Sequence, residues 1–229
     1  MNPPKRPSSA DPSRVPALRW VRPPQQARSQ KTLDRILDAA VALVSEKGFD
    51  DTPVAEIARR AGSSVGAFYA RFPDKDALLG ALSERFIAQA IATADDALDP
   101  ARWQRARLEE MVGAVVRFLV EIHRDQRGLL RAFSQRMRID PEFQARRERL
   151  SQYVGARLSA LLRKHGAEIR HADSERAAAF ALTMVFGTLE HTILFGELRS
   201  GAIAWSDDDL SAELARAFLA YLVVPTRPA

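Results

Sequence analysis

A chain of 229 residues, 46% hydrophobic and 28% charged, carries enough apolar material for one large core or two modest ones and reads as a soluble globular protein. The absence of cysteine excludes disulfides, thiolate metal sites and cysteine nucleophiles. No apolar run is expected to reach the ~20 residues of a membrane span, and no apolar h-region marks a secretory signal, so no membrane association and a cytoplasmic location are expected.

Residues 1–26 hold seven of the thirteen prolines and little apolar periodicity, the composition of an arm too polar to offset its ordering entropy. Trp20 is the apolar exception and can dock on the folded part. The net charge of +5 is concentrated here: Lys5, Arg6, Arg14, Arg19, Arg22, Arg28 and Lys31 face the single acid Asp11 before Thr32. A one-signed arm on a mixed chain suits a polyanion partner, and suits equally a solvated leader.

From about Ser29, Leu33, Ile36, Leu37, Ala40, Val41 and Val44 recur at helical spacing, with Asp34, Arg35 and Asp38 opposite. Lys47 and Gly48 form a basic last turn and a helix-ending glycine. Thr52-Pro53 reads as an N-cap and a first-turn proline, opening a short helix with Val54, Ile57 and Ala58 inward. Gly62 suits a left-handed turn, Ser63 or Ser64 can cap the next short helix, and Phe72-Pro73 ends it. Asp74 can then cap a longer helix from Lys75 towards Asp95. Two short helices about a glycine turn, braced by longer ones, make a helix-turn-helix signature.

Beyond Pro100 the periodicity stays helical. Leu108 to His123 and Leu129 to Met137 form two helices, the second stopped before Pro141. Leu150 to Leu162 marks a third running to Gly166. Asp173 or Ser174 can cap a fourth, and Leu210 to Tyr221 marks a last one before Pro225. No alternating strand is evident, so the fold class is all-α. The expected domains are a basic arm (1–26), a helix-turn-helix unit (27–73) and a helical bundle (74–229).

Enzymatic motifs are missing. His123, His165, His171 and His191 are scattered, and Glu190 and His191, adjacent in sequence, diverge by about 100° on a helix. No metal-binding spacing, P-loop, dinucleotide fingerprint or serine-nucleophile motif appears. Neither an enzyme, a metal nor a cofactor is expected.

The stretch from Arg28 to Leu79 resembles the DNA-binding domain of TetR-type transcriptional regulators. The resemblance rests on "TLDRILDAAVALVSEKGFDDT", then "VAEIARRAGSS", then the pattern small-x-Gly-x-aromatic-Tyr-x-x-Phe with a lysine opening the fourth helix. It implies a homodimeric, repressor-like regulator that binds double-stranded DNA through its N-terminal unit and a small molecule through its bundle. By the same resemblance Tyr69, Lys75 and Thr52 match phosphate-holding positions, while Ser64, Val65 and Ala67 match positions facing the major groove. The expected DNA-facing set is Arg28, Thr52, Ser63, Ser64, Val65, Gly66, Ala67, Tyr69 and Lys75. Gly66 serves either close approach of DNA or close packing of helices, whereas Phe68 and Phe72 are core.

Two features depart from, or extend, that pattern. Relatives often carry Lys, Arg or Pro where Val65 stands and Ser or Thr where Ala67 stands. Bidentate base reading needs long polar side chains, so Arg19, Arg22 or Arg28 is expected to assist from a minor groove. The segment Ala177 to Phe195 is apolar nearly all round and must be buried on several sides, against a second subunit and an effector cavity or inside a monomeric bundle. Phe133, Met137, Met184, Phe186, Glu190 and His191 are candidate pocket residues for a largely apolar effector. The competing function is a helical ligand-binding or protein-interaction module without operator binding.

Overall fold

The computed structural model describes residues 27–196, 198–200 and 202–224. The basic arm, with Trp20, Arg19 and Arg22, lies outside the described residues, as does the side chain of Arg28, whose backbone falls in the first turn of α1.

Nine α-helices follow one another among the described residues: α1 (Ala27–Lys47), α2 (Val54–Arg60), α3 (Val65–Tyr69), α4 (Lys75–Ala97), α5 (Leu108–Asp125), α6 (Arg127–Met137), α7 (Pro141–Leu162), α8 (Ser174–Phe195) and α9 (Asp207–Val223). Among the described residues the fold is all-α apart from two antiparallel strands of two residues each, β1 (Arg199–Ser200) and β2 (Ile203–Ala204), between α8 and α9. Strands of two residues leave no alternation to read in a sequence.

Local chemistry explains most boundaries. Ser64 Oγ accepts from Ala67 N at 3.1 Å, so Ser64 caps α3; Asp74 caps α4 through Ala77 N at 2.7 Å; Asp173 caps α8 through Arg176 N at 2.9 Å. Pro141 does more than stop α6. It occupies the first turn of α7 behind the cap Asp140, where its missing N–H costs nothing, so α7 begins nine residues before Leu150. The expected Thr52 cap is also corrected: Pro53 is the N-cap of α2, and the Thr52 hydroxyl donates to Gly48 O at 2.6 Å inside the preceding turn.

Two apolar clusters organise the packing. The first joins Leu33, Ile36 and Leu43 of α1 to Ile57, Phe68, Phe72, the first turns of α4, Leu129 and Phe133 of α6, and Phe143 of α7. The second joins Ala94 and Leu98 to α5, the end of α7, α8 and α9. Helix α4 therefore runs from one core into the other, and the first core itself takes in residues from both sides of the expected boundary at 73/74. Helix α8, 22 residues with a mean hydropathy of 1.5 over its most apolar window, is long and apolar enough to cross a membrane by length and composition, which corrects the expectation that no such run exists. Here it packs among α6, α7 and α9, with Ala177, Ala181, Val185 and Leu189 buried.

Candidate nucleic-acid interface

The recognition segment is built from the turn upward. Gly62 takes φ +59, a left-handed conformation that carries the chain from α2 into α3. Phe68 and Phe72 are both 0% exposed, their rings 5.2 Å apart, and they clamp α3 onto the first core. With its inner side so fixed, the helix turns Ser64, Val65, Gly66, Tyr69 and Ala70 to solvent, while Ser63 and Ala67 are half-buried. Tyr69 remains 48% exposed even though its ring meets Phe68 edge-on at 5.3 Å.

The surroundings of Gly66 separate its two readings. A Cβ there would find only Ser64 Oγ, at 3.9 Å, so no neighbouring helix requires the glycine. The open space lies on the solvent side.

Lys75 opens α4, where a cation opposes the helix dipole. Its Nζ donates to Asp50 O at 3.1 Å and lies 4.4 Å above the Phe49 ring. Burial pushes its pKa down, against the pull of the Asp50, Asp51 and Asp76 carboxylates. The ammonium is thereby held against the loop between α1 and α2. Thr52, by contrast, is 0% exposed and presents no surface to a phosphate. Arg71, which the sequence reading passed over, returns its Nη1 to Ala67 O at 2.7 Å, placing a guanidinium against a row otherwise short of long polar groups.

The six candidate pocket residues do not converge. Phe133 packs between Phe86 and Phe143, with ring centroids 5.8 and 6.2 Å away, and Met137 lies against the same first core. Met184 and His191, seven residues apart and so on one face of α8, line an open apolar groove of about 520 Å³ with Gly187, Thr188 and Leu214. Phe186 and Glu190 point elsewhere. Phe186 meets the His123 ring at 6.0 Å, and Glu190 pairs with Arg147 at 3.0 Å. His123, which the sequence offers only as one of four scattered histidines, thus stands in a polar cluster at the junction of α5, α7 and α8. Its Nδ1 bonds to Leu119 O at 2.7 Å, and burial holds its pKa below the ordinary histidine value against the opposing effects of that bond and of Glu190. No group of three metal-ligating side chains occurs among the described residues.

A helix-turn-helix with an exposed recognition helix and a helical bundle behind it defines a class of DNA-binding regulators. Residues 36–82 match the model of the bacterial regulatory proteins of the TetR family, and residues 108–222 match that of the tetracyclin repressor-like C-terminal domain. The chain belongs to the TetR family. It is 36% identical over 58 residues to the uncharacterised HTH-type transcriptional regulator YvdT of Bacillus subtilis, an alignment covering 25% of this chain and only 30% of that relative. Its fold is similar to that of a TetR-family transcriptional regulator from Mesorhizobium loti, with a TM-score of 0.67 and 22% identity over 87% of this chain and 100% of the other. The regulator FadR of Bacillus subtilis, solved with stearoyl-CoA, gives a TM-score of 0.56 and 22% identity over 85% and 100%.

Proposed function

We propose that this regulator is a homodimeric repressor, acting in the cytoplasm, that leaves a palindromic operator when a largely apolar small molecule binds its bundle. One observation carries the DNA-binding half. Phe68 of α3 and Phe72 just beyond it are wholly buried, while Val65, Gly66 and Tyr69 of α3 are exposed. Ser63, Ser64, Val65, Gly66 and Ala67 would enter the groove, while Tyr69 and Lys75 hold phosphates and Arg28 reaches the flank. Family membership supports a small-molecule effector, and the acyl-CoA held by FadR supports an apolar one. The effector acts only through a difference in affinity between the operator-binding state and the released one.

The competing module without operator binding draws on the shortness of Val65 and Ala67. Selection of bound duplexes from a random pool, repeated across salt concentrations, separates the two. A palindromic motif with half-sites about one helical turn apart, or a multiple of it, is expected, its affinity falling steeply with salt at about 0.9 log units per neutralised phosphate and log unit of salt. A pool that enriches no sequence overturns the regulator reading in favour of the module.

A further inference from the structure

Two consecutive residues at the start of α6 touch the ends of two distant helices. Arg127 donates from Nη2 to Thr192 O at 3.0 Å, capping the last turn of α8, where a cation also meets the negative end of the helix dipole. Gly128 does the opposite kind of job on the other side. A Cβ at Gly128 would overlap Val44 O and lie 3.1 Å from Ser45 Cα, so α6 and the end of α1 meet backbone to backbone. Val44 O also accepts from Gly48 N at 2.9 Å, and Gly48 O in turn accepts the Thr52 hydroxyl at 2.6 Å, one residue before the cap of α2.

We infer that Arg127 and Gly128 form a joint that couples the carboxyl end of α8 directly to the carboxyl end of α1 and so to the turn that positions α2. A contact between two side chains can absorb a shift by changing rotamers. The Gly128 contact has no side chain on the α6 side and a carbonyl on the other, and close-packed backbone transmits displacement rather than absorbing it. A movement of the last turn of α8 is passed through the guanidinium to residue 127 and, one residue later, to Val44. The inference rests on the regulator reading for its purpose, since it supplies a route from the bundle to the recognition unit, but its geometry stands independently.

Amide hydrogen exchange on the full chain tests it from both ends. Arg127→Ala removes a surface cap and leaves the cores intact. It should speed exchange by about 2- to 30-fold, the size of effects along coupled networks, in residues 189–196 and also in residues 44–52. Gly128→Ala perturbs the other side and should speed exchange in residues 189–196 as well as around 44–52. On the operator obtained by selection, Arg127→Ala should weaken binding by a similar factor. If Arg127→Ala changes exchange in the last turn of α8 alone, or Gly128→Ala changes it only beside residue 128, the joint does not exist. Should the unaltered chain enrich no operator, the regulator reading fails on its own, and the exchange pattern still decides the coupling.

Discussion

Gly66 sits in a helix of five residues whose stability gains nothing from it. Glycine costs up to about 1 kcal/mol relative to alanine in a helix interior, and a Cβ at this position would be in ordinary contact with one hydroxyl oxygen only. Gly66→Ala should therefore leave the thermal midpoint unchanged or raise it. The same methyl group would stand between α3 and the floor of a major groove, so operator affinity should fall by about tenfold or more, equivalent to about 1.4 kcal/mol. Calorimetry and a binding titration on one preparation read both. A variant that binds the operator as tightly as the parent would remove Gly66 from the interface. Thr52 shows the limit of reading at this scale. Thr-Pro spells cap and first turn, but the hydroxyl was taken by a carbonyl four residues back, a choice that depends on the Gly48 turn and not on the dipeptide.

The α2–α3 connection is an element whose shape depends on backbone conformation and hardly at all on contacts. At Gly62 a Cβ would have Arg35 Nη1 at 3.7 Å, which is comfortable, while φ is +59, which is not. Gly62→Ala should cost about 1–2 kcal/mol, seen as a lower denaturant midpoint with an unchanged slope, and Gly62→Asn should cost less because asparagine tolerates the left-handed region. Equal losses for both would point to a side-chain clash instead. Gly62, Asp74 and the Phe72-Pro73 break were legible because each acts within a few residues of itself. Pro141 was half legible: its power to end α6 is local, but its place inside α7 depends on Asp140 accepting from Glu142 N. Which pocket candidates share a groove was not legible, since Phe133 and Met184 are equally apolar and only tertiary packing sends one into the first core and the other, with His191, to an open groove.

Across the whole molecule, α8 carries more apolar surface than one chain covers. Its inner face is buried, yet Phe180 and Phe195 are 49% and 75% exposed, and the groove lined by Met184, Gly187 and His191 runs between them. Contiguous exposed apolar surface of this kind marks a partner, and a two-fold contact presents each residue of the patch twice. Gly187 offers the cleanest test because it lies exposed in the middle of this stripe and a Cβ there meets nothing within 4 Å. Gly187→Arg should therefore leave the single chain as stable as before, or up to about 1 kcal/mol more so, by helix propensity. In a dimer built on α8 the same change puts two guanidinium groups into an apolar seam, where an unpaired buried charge costs several kcal/mol. Sedimentation should accordingly show a species near twice 25.4 kDa for the parent and one near 25.4 kDa for Gly187→Arg. Operator binding should weaken with it, because a lone chain reaches one half-site. A variant that still sediments as a dimer would move the interface away from this stripe, and a parent that sediments as a monomer would leave the α8 groove to a different occupant.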